Sequence, residues 1–290
     1  MRLRDVVILI RPHHYLKNGF VFMPLFFVGR IMDVKLLFPA LGAFAAFCAA
    51  AGAIYVLNDC MDMAEDRLHP RKKLRPVASG AVSRKAALVL AGVLCAMGGC
   101  LMAAVSLDGL AVLGAYVALN LGYTFYLKHI AIVDVTVIAI GFVLRLFAGS
   151  RVTGVPLSMW IVIMTFLLAL FLALSKRRDD VLIFMNSGER MRRVIDGYTL
   201  QLIDGAMMIM ASVVIVAYIL YTTSAPVLLR LHTEHLYLTA LFVILGILRY
   251  LQITLVDNGS GSPTMIVLKD RFMQVTILAW IVSFVWIIYL

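Results

Sequence analysis

AIYVLNDCMDMAEDRLHPRKKLRPVASG, residues 53–80, begins as an apolar run and turns, within a few positions, into a dense mixture of acids and bases. Around it the chain is of one kind: 290 residues, 63% apolar and only 14% charged, with a mean hydropathy of +0.98. Soluble domains run near 45–50% apolar and about 25% charged. Apolar runs of roughly 20 residues recur along the chain, each long enough to cross a bilayer. The composition therefore excludes a secreted disulfide scaffold, a disordered regulator and an enzyme on a soluble fold. A cleavable leader is not expected either, because charges return soon after the short apolar stretch in MRLRDVVILIRPHHYLKN.

Within the quoted stretch, Asn58, Asp59, Asp62 and Asp66 form N-D-x-x-D-x-x-x-D. On a helix the three aspartates share an arc of about 60°. Carboxylates crowded on one stripe repel and need positive compensation, so removing one should hold or raise stability when no metal is bound. Oxygen ligands at this density suit Mg2+, which binds through a few carboxylates, substrate phosphates and water. The following bases, Arg67, Arg71, Lys72, Lys73 and Arg75, are read as cationic support for a diphosphate. A solvated helix end, a topology signal and an anionic-lipid contact are the plainer readings of the same charges.

Spans are expected near 12–30, 36–59, 85–106, 109–127, 132–150, 157–175, 199–222, 236–256 and 273–290. Nine crossings place 20 of the 26 Lys and Arg residues on the N-terminal side and 4 on the other. The positive-inside rule then sets the N-terminus in the cytoplasm. This asymmetry explains the net charge of +10 without invoking nucleic acid. The chemistry-bearing loops, 60–85 and 176–193, lie on that same side, which disfavours a transporter with midplane polar groups. With no internal repeat, residues 1–290 read as one transmembrane domain. Cys48, Cys60, Cys95 and Cys100 show no CxxC spacing and are taken as small apolar residues. His13, His14, His69 and His129 share no metal-ligand pattern, and Asp180, Arg192 and Arg193 read as solvated loop charges.

The acidic motif at the end of the second span resembles that of the UbiA-type intramembrane prenyltransferase superfamily. More narrowly, the chain resembles its decaprenyl-phosphate phosphoribosyltransferase branch. The stretches that carry this resemblance are RPHHYLKN, residues 53–80, Tyr126-x-Lys128, DVTVIAIGFVLRLFAG, SMW with FLALFLALSKRRDD, Tyr198 through Asp204, RYLQ and SPTMIVLKDR. They run in order along nearly the whole chain. The resemblance implies an all-α integral membrane protein, a UbiA-like bundle with its active site at the cytoplasmic face of an inner membrane.

Aromatic-acceptor members of the superfamily carry a second D-x-x-x-D motif after the fourth span. Here Asp134 is present, but Val137 and Ile138 follow where the second acid would stand. The run continues instead to Arg145, eleven residues on and on the same helical face. A charge inside a span must face protein or a polar cavity. Arg145 is thus either half of a buried ion pair, with Asp134 as a candidate partner, or a clamp on an anionic substrate group. The resemblance moves Lys17, Lys128 and Lys176, otherwise membrane-boundary anchors like Tyr126 and Arg177, toward substrate phosphate.

The reading that results is a Mg2+-dependent transfer of 5-phosphoribosyl from phosphoribosyl diphosphate to a polyprenyl phosphate, with diphosphate released. Asp59, Asp62 and Asp66 are the catalytic acids and, with Asn58, the metal ligands. Lys17, Asn58, Arg71, Lys73, Arg75, Tyr126, Lys128, Asp134, Arg145, Lys176 and Arg177 are the substrate-binding candidates. Membrane lipid is the surrounding partner, and homo-oligomers are allowed. Two rivals stay open: prenyl transfer to an aromatic acceptor, and a polyprenyl-lipid carrier without metal dependence.

Overall fold

The computed structural model describes residues 2–68, 72–187, 193–259 and 263–289, with backbone only at 187 and 193. Among the described residues every regular element is a helix. Seven helical segments are long and apolar enough to cross a membrane: Val34–Met61, Arg84–Val105, Val133–Thr153, Met159–Asn186, Leu200–Thr223, Leu236–Leu255 and Arg271–Tyr289. The chain divides into two compact units, Met1–Tyr126 with Leu144–Pro156, and Leu127–Val143 with Leu157–Leu290.

In the first unit, α1 (Leu3–Ile10) leads into a 3-10 helix, Pro12–Phe22, and then α2 (Met23–Phe27). This is the segment expected to span at 12–30, and it is not one continuous α-helix. A 3-10 run of such length is uncommon; its inner face buries Asn18 and Val21. Next, α3 (Val34–Met61) starts at an Asp33 cap, whose carboxylate accepts from the Lys35 N–H. Seven of its alanines, Ala40, Ala43, Ala46, Ala49, Ala50, Ala51 and Ala53, are buried. Small residues let neighbouring backbones come close, and α3 packs most extensively on α5 (Arg84–Val105).

Helix α3 does not continue through the acidic motif. Asp62 leaves helical geometry at φ −86, ψ 5, and α4 (Met63–Leu68) resumes after it. The expected single stripe of three acids is therefore broken at its middle member. The unit closes with α6 (Leu107–Phe125), where the other expected span falls. Its 19 residues include Asp108 and Asn120, which dilute its hydropathy.

Helix α7 (Val133–Thr153) belongs to the second unit up to residue 143 and to the first from residue 144. The second unit continues with α8 (Met159–Ser187), α9 (Leu200–Thr223), α10 (Ala225–Leu231), α11 (Ala240–Leu255), α12 (Pro263–Lys269) and α13 (Arg271–Tyr289). Its core gathers Phe171, Ile195, Ile203, Met207, Tyr250 and Met273. Helix α8 runs past the expected span end at 175, so the first part of the predicted 176–193 loop is helical. The extension is possible because Arg177 and Arg178 turn inward to partners. Arg178 donates from Nε to Asp204 Oδ1 at 2.8 Å and from Nη1 to the Thr254 carbonyl at 2.8 Å, the latter satisfying an open carbonyl in the last turn of α11.

Outward faces are apolar. Val89, Val93 and Met97 on α5 and Val275, Leu278, Val282 and Trp286 on α13 are exposed, as helices facing lipid require. All four cysteines are free; Cys48 and Cys60 are buried, Cys95 and Cys100 exposed on α5.

Candidate active site

The break at Asp62 redirects the acids. Asp59, in the last turn of α3, and Asp66, on α4, are each only 2% exposed and converge on one guanidinium. Arg75 Nη1 donates to Asp59 Oδ1 at 3.0 Å and to Asp66 Oδ2 at 2.7 Å. Arg11 Nη2 donates to the same Asp59 oxygen. Burying two carboxylates is costly unless charge and hydrogen bonds compensate, and the two arginines supply both. Asp62 lies half-buried at the joint between the helices.

Arg75 reaches the acids because the chain folds back after α4. Its N–H bonds to the Lys72 carbonyl, Ser79 N–H bonds to the Arg75 carbonyl, and Val77 and Ala78 are buried beneath the turn. Lys73 points outward and is exposed; Arg71 lies outside the described residues. Arg11 sits at the junction of α1 and the 3-10 helix with φ 52. A left-handed arginine costs on the order of 1–3 kcal/mol and persists only where surroundings hold it. Here the Asp59 pair and the Tyr55 ring, 5.5 Å from the guanidinium carbon, do so. Asn58 Oδ1 lies 2.6 Å from the Thr124 hydroxyl.

A second polar centre of this unit surrounds Arg145, 5% exposed on α7. Its Nε donates to Asn18 Oδ1 at 2.7 Å and its Nη2 to the Tyr116 hydroxyl at 3.0 Å. The guanidinium lies over the Tyr116 ring, 4.6 Å from its centroid, with Phe47 at 5.7 Å. Asn18 is oriented by its own amide, which donates to Cys48 Sγ. Gly149, one turn beyond Arg145, makes the meeting possible: any Cβ there would collide with the Val21 carbonyl. Where the sequence offered Asp134 as a candidate partner, an amide, a phenol and two ring faces of the first unit stand around the guanidinium. Lys17, partly buried next to Asn18, feels the charges of Arg145 and Arg11 and has no carboxylate partner among the described residues.

In the second unit Asp134 is 0% exposed and both its oxygens are committed: Oδ2 accepts from Arg177 Nε and Oδ1 from the Tyr198 hydroxyl. Arg177, 1% exposed, also donates from Nη1 to Asp180 at 2.7 Å. Asp134 and Arg177, expected to face substrate, thus face each other, and Asp180 is a partner in that network instead of a solvated loop charge. Burial and the neighbouring Asp134 carboxylate push the Tyr198 hydroxyl well above the usual tyrosine range. Lys128 is half-buried in a short 3-10 turn, Leu127–His129, while Lys176 and Tyr126 are exposed.

Among the described residues no three acids, histidines or cysteines gather closely enough to hold an ion alone. Asp59 and Asp66 nevertheless aim buried oxygens at a single point held by a cation. A Mg2+ that takes one or two carboxylates and completes its shell with substrate phosphates and water fits that donor set.

Arg11, Asn18, Tyr116 and Thr124 are not among the site residues the sequence points to, and Tyr198 enters there only as the start of a matching stretch. Arg11 and Asn18 do bracket RPHHYLKN, where a base beside proline and an amide beside lysine in one apolar segment were the available signals. Tyr116 and Thr124 carried none, since an aromatic or a threonine in a span is ordinary.

The UbiA prenyltransferase family model matches residues 22–275. A decaprenyl-phosphate phosphoribosyltransferase of Mycolicibacterium smegmatis is 33% identical over 283 residues, covering 94% of this chain and 88% of that protein. One from Corynebacterium glutamicum is 31% identical over 97% of this chain and 86% of its own length. The structure of a UbiA homologue from Archaeoglobus fulgidus, bound to DMAPP and Mg2+, superposes with a TM-score of 0.72 at 16% identity, covering 98% of this chain and 99% of that one. At that identity the likeness speaks for the fold, and the fold agrees with what the two closer sequences say of lineage. A helical membrane chain with buried, arginine-bridged aspartates on either side of the break at Asp62, matched by the family model over residues 22–275, belongs to the UbiA prenyltransferase family.

Proposed function

We propose that this chain moves 5-phosphoribosyl from phosphoribosyl diphosphate to a polyprenyl phosphate. The bond from ribose C1 to the diphosphate oxygen breaks, a bond from C1 to an acceptor phosphate oxygen forms, and diphosphate leaves. The observation that carries this reading is the likeness, at 31–33% identity along almost the whole chain, to decaprenyl-phosphate phosphoribosyltransferases. The loss of the second acidic pair supports it, because two anionic substrates call for cations where an aromatic acceptor would not.

Asp59 and Asp66, with Asp62 and Asn58 beside them, would hold Mg2+, whose chemistry there is to neutralise the charge gathering on diphosphate. Arg75 and Arg11 exchange their carboxylates for diphosphate oxygens when substrate binds, with Lys73 and Arg71 as outer cationic support. Lys17 and Arg145 orient a second anionic group in a buried setting, where the planar guanidinium fork is the better clamp. The acceptor phosphate is already anionic at neutral pH, so no general base is needed. Lys128 and Lys176 serve substrate phosphate from the membrane boundary. The working unit is one transferase domain of nine crossings in the inner membrane, the 12–27 segment and α6 adding to the seven long helices, with the N-terminus and active site cytoplasmic.

Purified membranes incubated with labelled phosphoribosyl diphosphate and a series of polyprenyl phosphates should yield a labelled lipid only when both substrates and Mg2+ are present. Label transfer from a polyprenyl diphosphate to an aromatic acceptor, with none from phosphoribosyl diphosphate, overturns the reading in favour of its rival.

A further inference from the structure

Ile132 adopts φ 69, a left-handed conformation that β-branched residues rarely take. Its side chain is 62% exposed, so burial does not offset the strain. What holds the turn lies at residues 197–198. The Ile132 N–H donates to the Tyr198 hydroxyl at 2.8 Å, and the same hydroxyl donates to Asp134. Arg177 fixes the other oxygen of Asp134 and is itself fixed by Asp180. Next to Tyr198, a Cβ added to Gly197 would stand 2.5 Å from that of Ala131, so backbone presses on the turn beside its strained residue. The turn carries Lys128, and hydrogen bonds from Ile130 N–H to the Leu127 carbonyl and from Asp134 N–H to the Ile130 carbonyl make it continuous from Leu127 to Asp134.

Strain of this kind survives where structure over-determines it, and it clusters at functional sites. A glycine or asparagine at 132 would relax the turn without loss of core. We propose that Tyr198 is a positioning residue for Lys128: through the Ile132 amide and Asp134 it fixes the 127–132 turn so that the Lys128 ammonium meets an anionic substrate group. Asp134, the surviving acid of a reduced second motif, then anchors this turn through both of its oxygens. The inference rests on the phosphoribosyl-transfer reading for the identity of the anion.

A double-mutant cycle on the full chain in nanodiscs tests it, with Tyr198→Phe, Lys128→Ala and the pair, and with KM for each substrate, kcat and Tm as readouts. Lys128→Ala should raise one KM by about tenfold or more, and Tyr198→Phe should raise the same KM while kcat changes less. The double variant should be no worse than Lys128→Ala alone, because coupled residues are not additive. Multiplying effects, or a Tyr198→Phe variant that loses Tm with both KM values intact, overturns the inference. So does a Lys128→Ala variant with unchanged KM. Should Tyr198→Phe not fold, Asp134→Asn, which keeps an acceptor for the hydroxyl but loses the charged pair with Arg177, should raise the same KM to a smaller extent, and an unchanged KM overturns the inference. Failure of the phosphoribosyl reading looks different: the wild type turns over only polyprenyl diphosphate and an aromatic acceptor, and the same cycle is then read on those substrates.

Discussion

Arg145 and Asn18, 127 positions apart, meet where the arginine Nε–H donates to the asparagine Oδ1 at 2.7 Å. The contact fixes the plane of the guanidinium, and the Tyr116 hydroxyl fixes its rotation in that plane. A cation oriented in this way at 5% exposure is preorganised, which is what transition-state stabilisation in a water-poor site asks for.

Arg145→Lys is therefore expected to fail almost as badly as Arg145→Met. Lysine keeps the charge but cannot bond Asn18 and Tyr116 from one planar fork. Turnover should drop by about 10²–10³, equivalent to roughly 2–4 kcal/mol of lost stabilisation. Steady-state kinetics beside melting curves decide the matter. A fully active Arg145→Met enzyme refutes the clamp.

Gly149→Ala offers the same test from the scaffold side. The added methyl would drive α7 and the Val21 backbone apart, at a cost of about 1–3 kcal/mol for overpacking. Asn18, three residues before Val21, would be carried away from Arg145. The variant should lose Tm and show the kinetic signature of the Arg145 variants. Normal kinetics in a destabilised protein would separate the packing from the site.

Much of the site was legible because its residues are expensive in a membrane. Asp59, Asp66 and Arg145 stood out as charges in or at the end of apolar runs, and the structure buries all three. The break at Asp62 was not legible, since 100° periodicity assumes a helix that continues. Nor was the pairing of Asp134 with Arg177 on α8, because a helical face specifies direction and not which neighbour arrives there. The first predicted span failed as a continuous helix for a related reason: hydropathy measures what a segment can be dissolved in, while Pro12 and the buried Asn18 determine how it coils.

Orientation is open to labelling. In a background lacking Cys48, Cys60, Cys95 and Cys100, an impermeant thiol reagent applied to intact cells should miss Ser79→Cys and modify Glu234→Cys; both positions are exposed. The excess of Lys and Arg on the N-terminal side motivates this outcome. The reverse pattern would put the acid–arginine cluster outside the cell, away from any cytoplasmic phosphorylated sugar.

The Tyr198 hydroxyl predicts a pH dependence with a defined sign. Its folded pKa lies above the ordinary 10.0, held up by burial and by Asp134. Its contribution is complete below pH 10, where both states are protonated, and is lost as the unfolded chain ionises first above that value. The Tm difference between wild type and Tyr198→Phe should be constant from about pH 8 to about pH 10 and shrink beyond. A difference that grows with alkalinity contradicts the hydrogen bonding seen here.

Metal dependence can be read in stability as well as in activity. Repulsion among the acids would let Asp66→Ala hold or raise stability in chelator, but Arg75 bridges Asp66 and Asp59 at 2.7 and 3.0 Å. Removing Asp66 leaves that buried arrangement with one acid fewer for two arginines, so the metal-free protein should lose about 1–3 kcal/mol. Adding Mg2+ with diphosphate should raise the wild-type Tm by mass action, since a ligand that binds only the folded state stabilises it as RT ln(1 + [L]/Kd). That rise should vanish in Asp59→Asn and Asp66→Ala, and its fate in Asp62→Ala reports whether the middle acid ligates. Were Asp66→Ala to gain Tm in chelator and keep the Mg2+ response, the arginine bridge would be incidental and the acid would leave the metal site.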